Sequence, residues 1–216
     1  MKKYDVIAFD LDGTLTNPEK GLVAGFRYAF DKLGIKYESP ESLKRFIGPP
    51  LFDEWKRSFG LSDAECTEAL RVFREFYDVY GWRENEPYPK IVEMLAELRA
   101  SGKKLVVATS KPERVANKVL NYFDLAKYFD FISTATLDKS RDKKCEVLEY
   151  ALNSIGSPDK AKCVLVGDRK YDAEGAEIVG VDSIAVLYGH GSAAEISSAG
   201  FTYIAESVSD ILKILI

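Results

Sequence analysis

From Lys90 onward the chain alternates short apolar runs with helical patterns, and this alternation constrains the fold more than any other feature. Apolar runs fall at 104–109, 130–135, 162–167, 183–188 and 202–205. Between them, apolar residues recur at helical spacing: Ile91, Met94, Leu95 and Leu98 first, then 112–122, 144–155 and 173–179, with a short helix and a C-terminal helix beyond. Strand–helix alternation implies a parallel sheet with helices covering both faces. An earlier run, Val6-Ile7-Ala8-Phe9, is β-branched, aromatic and uncharged, and it joins the same sheet as a strand over 6–10.

The stretch between these parts is different. Gly21–Leu33 carries Leu22, Phe26, Ala29, Phe30 and Leu33 at helical spacing. Helical patterns also cover Pro40–Phe46 and Leu51–Phe59. Ser62-Asp63-Ala64-Glu65 has capping-box spacing and opens a long helix through Tyr80. No strand is predicted from 16 to 80, and Thr16-Asn17-Pro18 reads as a turn. The segment G-W-R-E-N-E-P-Y-P, 81–89, breaks the pattern and reads as the link back to the core. The expectation is a Rossmann-like α/β core over 1–15 and 84–216, with an all-helical cap domain, 16–83, inserted after the first strand.

The 216 residues are 46% hydrophobic and 30% charged, as in a water-soluble globular domain. No apolar run approaches the ~20 residues needed to span a bilayer. The N-terminus, M-K-K-Y-D-V-I-A-F-D, lacks a signal-peptide pattern, so a cytoplasmic location is expected. A net charge of −4 argues against nucleic-acid binding by bulk electrostatics. Cys66, Cys145 and Cys163 read as reduced thiols.

In open parallel sheets, ligands bind beyond the carboxyl ends of the strands. Polar residues gather at three such ends: Asp10 and Asp12 in D-L-D-G-T-L, the pair Thr109-Ser110, and Asp168 with Asp172. Asp10 suits a nucleophile and metal ligand, and Asp12 a general acid and base for the same substrate. Four carboxylates in one crevice repel one another, which a hard divalent cation relieves; Mg²⁺ fits because it also bridges phosphate oxygens. Thr109 and Ser110 offer hydroxyl and backbone donors to a phosphate, or cap a helix starting at Pro112. Asp172 can also be a helix N-terminal acid favoured by the dipole. His190, between two glycines, reads as a loop residue; with one histidine, multi-His zinc sites and Ser-His-Asp triads are excluded.

Carboxylate pair, hydroxyl, lysine and carboxylate pair, in that order, resemble the four motifs of the haloacid dehalogenase superfamily. The resemblance spans nearly the whole chain and is narrowest to its phosphoglycolate phosphatase and 5′-nucleotidase-like members. It implies a Mg²⁺-dependent phosphatase of small phosphorylated metabolites, working through an aspartyl-phosphate on Asp10. It also implies metal ligands from the Asp10 and Asp168 side chains and the Asp12 backbone carbonyl, with Asp172 supporting the metal or its waters. Lys144, followed by Cys145-Glu146-Val147, matches the lysine motif better than Lys143 does. A cap between the first two motifs is part of the pattern, and its loop Phe46–Leu51, with Arg45 and Gly48, is a candidate specificity element. After D-G-T-L, Asn17-Pro18 stands where relatives often carry Asp-Ser. A monomer or weak homodimer with no membrane partner is expected. The rival readings are a 5′-nucleotidase, a β-phosphoglucomutase-like mutase, a dehalogenase and, from another class, a phospho-acceptor signalling module. Asp12 argues against the last two: dehalogenases lack the second Asp, and a built-in base shortens a phosphoryl intermediate's life.

Overall fold

Runs that are apolar at every position become strands buried on both faces. The computed structural model describes residues 4–136, 138 and 140–216. In chain order the elements are β1 (Val6–Phe9), β2 (Thr16–Asn17), α1 (Glu19–Leu33), α2 (Leu51–Phe59), α3 (Asp63–Tyr77), β3 (Glu86–Pro87), α4 (Ile91–Ala100), β4 (Lys104–Pro112) and α5 (Glu113–Tyr122). Then come β5 (Phe131–Ala135), α6 (Lys144–Ser154), β6 (Cys163–Gly167), α7 (Lys170–Val179), β7 (Asp182–Val186), α8 (Ala193–Ser198), β8 (Tyr203–Ala205) and α9 (Val208–Leu215).

The chain divides into two compact units. One holds the residues up to Asn17 together with Pro87–Ile216, the other Pro18–Glu86. In the first, six parallel strands lie in the order β5-β4-β1-β6-β7-β8. Val6, Ala8, Val106, Ala108, Cys163 and Leu165 pack on one face against Val147, Leu148, Ala151, Leu152, Ala176 and Val179 of α6 and α7. The alternate residues Ile7, Phe9, Leu105, Val107, Val164 and Val166 are equally buried on the other face. Double-sided burial explains why these strands carry no polar alternation.

The strand register places the polar ends together. Phe9 pairs with Val107 on one side and Val166 on the other, so Asp10 follows β1 beside the C-terminal parts of β4 and β6, near Thr109 and Asp168. The chain moves from β1 to β4 in one direction and from β5 across to β6 in the other, so β1 and β6 flank the point where the strand order reverses. Open sheets bind ligands at such a point.

In the helical unit, α1, α2 and α3 bury an aromatic cluster of Phe26, Phe30, Phe46, Trp55 and Phe73. The Ser62–Glu65 capping box forms, with Glu65 accepting from the Ser62 N–H at 2.8 Å. Among the described residues, no helix is long and apolar enough to cross a membrane.

Two local readings change and a third is refined. Thr16–Asn17 is not a turn but a two-residue strand paired with Glu86–Pro87, too short to show a periodicity. Residues 41–46 are helical as expected, but with 3₁₀ geometry. β4 runs past Thr109 to Pro112, which is extended (φ −58°, ψ 140°), so α5 begins at Glu113 and the proline stands outside its first turn. The cause is a bulge. Thr109 pairs with Thr134 and Pro112 with Ala135, leaving Ser110 and Lys111 as two extra residues.

Candidate active site

Asp10 follows β1 directly, and its N–H donates to the Val166 carbonyl at 2.9 Å, which ties the start of the motif to β6. The chain then turns tightly: the N–H groups of Thr14, Leu15 and Thr16 all reach the Leu11 carbonyl. Gly13 sits in the middle at φ 82°, and a Cβ there would collide with the Asp168 carboxylate. This position therefore needs glycine for conformation and for space.

Lys144 opens α6 and is buried. Its ammonium lies 2.8 Å from Asp10 Oδ1 and 3.0 Å from Asp172 Oδ1, and it donates to the Ala108 carbonyl at 3.0 Å. The ammonium thus makes two ion pairs and one hydrogen bond to a carbonyl. Burial pushes this ammonium toward losing its proton, but the charges of Asp10 and Asp172 outweigh that and raise its pKa above the ordinary lysine value. Lys143 is exposed at the cap position before the helix. Ion-paired to both carboxylates, Lys144 is first a bridge between Asp10 and α7.

Asp168 and Asp172 lie at the end of β6 and in the first turn of α7, both buried. Asp172 Oδ2 accepts from the N–H groups of Asp168 (3.1 Å) and Arg169 (3.0 Å), so this carboxylate caps its helix and faces Lys144 as well. Asp168 Oδ2 accepts from the His190 N–H at 2.8 Å, while its Oδ1 is buried without a hydrogen-bond partner. Burial and the neighbouring Asp172 and Asp10 raise the Asp168 pKa well above the usual carboxylate range. Asp172 is raised too, chiefly by burial, with Lys144 opposing. Gly189 and Gly191 leave no room for a Cβ against Asp168, so the G-H-G segment packs directly on that residue.

One oxygen each from Asp10, Asp168 and Asp172 forms a group within 4.8 Å, the arrangement a cation would occupy. Among the described residues, two ammonium groups, Lys144 and Lys111, pair with Asp10, Asp12 and Asp172, so the four carboxylates outnumber their paired ammonium groups and carry an excess of negative charge when ionised. A divalent hard cation matches that charge and the all-oxygen donor set. The orphaned Asp168 Oδ1 fits the same group. These residues therefore suit Mg²⁺.

Thr109 is buried, and its Oγ1 accepts from the Lys111 N–H at 3.2 Å. Ser110 is exposed and its hydroxyl donates to the Asp142 carbonyl at 3.0 Å, so the side chain ties the β4 bulge to the segment before α6. Arg45 and Gly48 are exposed on the helical unit. The Arg45 guanidinium lies 4.9 Å from the Phe46 ring centre, and Gly48 has φ 102°. Two participants escape a reading of the sequence. Lys111 pairs with Asp12 at 2.6 Å, and the His190 backbone holds Asp168.

A profile of the haloacid dehalogenase-like hydrolases matches residues 7–186. A 5′-nucleotidase of Pseudomonas aeruginosa is 35% identical over 99% of this chain and 96% of its own. The tyrosine-protein kinase PtkA of Mycobacterium tuberculosis is 35% identical over 94% of this chain and 69% of its own. A phosphoglycolate phosphatase of Vibrio parahaemolyticus is 28% identical over 100% and 98%. The crystal structure of a candidate phosphatase from Clostridium difficile superposes with a TM-score of 0.91 over all of both chains, at 45% identity. With a profile covering most of its length and relatives above 30% identity, this chain belongs to the haloacid dehalogenase-like hydrolases.

Proposed function

We propose that the protein is a Mg²⁺-dependent phosphatase that hydrolyses small phosphate monoesters through an aspartyl-phosphate on Asp10. The observation that carries this reading is the Asp10 carboxylate, fixed at a strand end by Lys144 at 2.8 Å and backed by the Asp168–Asp172 pair. A carboxylate held in one orientation is already placed for in-line attack on phosphorus. Asp10 forms the new P–O bond as the bond to the leaving oxygen breaks. Asp12 gives that oxygen its proton and, left as a base, takes a proton from the water that hydrolyses the aspartyl-phosphate. Thr109 and the Ser110 backbone serve the non-transferring oxygens. The Asp10 and Asp168 side chains and the Asp12 carbonyl would hold Mg²⁺, with Asp172 behind them. Mg²⁺ supplies neutralisation of the phosphate charge.

All these groups recognise phosphate and metal, which every monoester presents alike. Choice among leaving groups then falls to the helical unit, with Arg45 and Gly48 as candidates. The relative named 5′-nucleotidase is more similar than the one named phosphoglycolate phosphatase, which places nucleoside 5′-monophosphates beside phosphoglycolate among the substrates to be tried first. A second reading comes from the relative named tyrosine-protein kinase: a tyrosine hydroxyl, not water, would accept the phosphoryl group. Asp12 serves either acceptor as base.

The test is a panel of phosphate monoesters with Mg²⁺ or with a chelator, using wild type and Asp10→Asn. Mg²⁺-dependent release of phosphate by wild type alone is expected. Robust turnover by Asp10→Asn would refute the nucleophile. Transfer of label to tyrosine without phosphate release would favour the second reading.

A further inference from the structure

The β4 bulge contains a buried lysine, Lys111. Ser110 and Lys111 are the two residues that β5 does not match, and their side chains fall on opposite sides of the chain. Ser110 becomes exposed, whereas Lys111 is buried with only 4% of its side chain accessible. Lysines are almost never buried this far without a charged partner. The partner is Asp12, whose Oδ2 accepts from the Lys111 ammonium at 2.6 Å. The other oxygen, Asp12 Oδ1, is buried with no hydrogen-bond partner. One end of the carboxylate is therefore fixed and the other is committed to no hydrogen bond. The Lys111 N–H also donates to Thr109 Oγ1 at 3.2 Å, so one residue is tied both to the hydroxyl proposed for phosphate binding and to the carboxylate proposed for proton transfer.

From this geometry we infer that Lys111 is a positioning residue for Asp12. It fixes the orientation in which Oδ1 meets the leaving oxygen and later the attacking water. Lys111 touches neither phosphorus nor the leaving group; it acts through the carboxylate. The inference rests on the phosphatase reading and adds a residue to it. Lys111 differs in duty from Lys144, which bridges Asp10 and Asp172 across the site.

A residue that works through a proton donor has a signature that a merely structural one lacks. Good leaving groups depart without a proton, whereas poor ones need it. Lys111→Met keeps the length and apolar stem of the side chain and removes the ammonium. It should lower kcat/KM on alkyl phosphates by ~10²-fold or more and on 4-nitrophenyl phosphate by less than about tenfold, because general acid help is worth ~10²–10⁴-fold where it is needed, and kcat/KM reports only the steps through departure of the leaving group. With 4-nitrophenyl phosphate, hydrolysis of the intermediate also needs Asp12, so acid-quenched Lys111→Met should trap more aspartyl-phosphate than wild type. Lys111→Arg keeps the charge and should recover part of the loss on alkyl phosphates. The circular dichroism spectrum and melting temperature of each variant report folding separately.

Three outcomes would overturn the inference. Equal losses of kcat/KM on all leaving groups would place Lys111 in folding. A rise in KM with unchanged kcat would place it on the phosphate itself. Unaltered kinetics would make the ion pair idle. If wild type hydrolyses none of the monoesters, the phosphatase reading fails and the role given to Lys111 falls with it, whereas an active wild type with unselective losses in the variants overturns that role alone.

Discussion

Asp168 offers the sharpest test of the proposed cation site, because its burden is opposite with and without the ion. Without a cation, its carboxylate is buried, leaves Oδ1 unpartnered and faces Asp172 and Asp10. Asp168→Asn keeps the shape, and the amide oxygen can still accept from the His190 N–H. The amide NH₂ takes the place of Oδ1 and offers a donor to the neighbouring carboxylates. Removing one unsatisfied buried polar atom and one like charge should stabilise the metal-free protein by about 2 kcal/mol. For a chain of this size, each kcal/mol moves Tm by roughly 2–4 °C, so the variant should melt about 4–8 °C above wild type in chelator.

The sign reverses with Mg²⁺. A ligand at 100 times its Kd stabilises the folded state by about 2.7 kcal/mol. Wild type should gain that much and the variant little, so the order of the two melting temperatures should cross. The pH dependence follows from the raised pKa. A carboxyl that is easier to protonate when folded keeps its stability below the unfolded pKa of about 3.9 and loses it as pH rises through the folded value. The advantage of Asp168→Asn in chelator should therefore vanish near pH 4 and grow toward neutrality. Calorimetry at matched pH, with chelator and with a Mg²⁺ titration, measures all of this. A variant less stable than wild type in chelator, or an equal Mg²⁺ gain in both, would refute the reasoning.

Other perturbations probe neighbouring parts of the site. Lys144→Met strands the buried carboxylates of Asp10 and Asp172 and should cost roughly 3–5 kcal/mol in urea melts; a loss below 1 kcal/mol would show that the bridge carries little. In Gly175→Ala the new Cβ would stand 2.7 Å from Lys144 Cγ, so α6 and α7 must part or the lysine must shift. Alanine favours the helix by only about 0.5–1 kcal/mol, so turnover should fall at least about tenfold with the helical spectrum intact. On the helical unit, Arg45→Ala and Gly48→Val should change kcat/KM unequally across substrates. A lost charged hydrogen bond to phosphoglycolate would cost about 1.5–3 kcal/mol, with 4-nitrophenyl phosphate least affected. Equal losses across the panel would assign both positions to folding of that unit.

The residues legible in the sequence are those whose position follows from strand order and register. Val6–Phe9, Leu105–Ala108 and Cys163–Val166 are buried on both faces and therefore read as unbroken apolar runs, and parallel register then brings Asp10 near Thr109 and Asp168. Lys144 was separable from Lys143 only by the residues after it, and its burial agrees with that choice. Other features carry no such signal. A two-residue strand at Thr16–Asn17 has no period to detect. Pro112 suits a first helical turn and an extended residue equally, since its fixed φ serves both.

Lys111 shows why the remainder was hidden. A lysine after a polar pair reads as solvated surface, because sequence distance says nothing of a partner 99 residues away and a bulge is invisible until the partner strand's register is known. His190 is hidden for another reason: what it gives Asp168 is a backbone N–H, which every residue but proline possesses. Its flanking glycines were the one available sign, since packing backbone against a buried carboxylate requires neighbours without a Cβ. Strand ends announce the carboxylates of this site, whereas the groups that orient them arrive through a bulge and through the main chain, and these become readable only once the chain has folded.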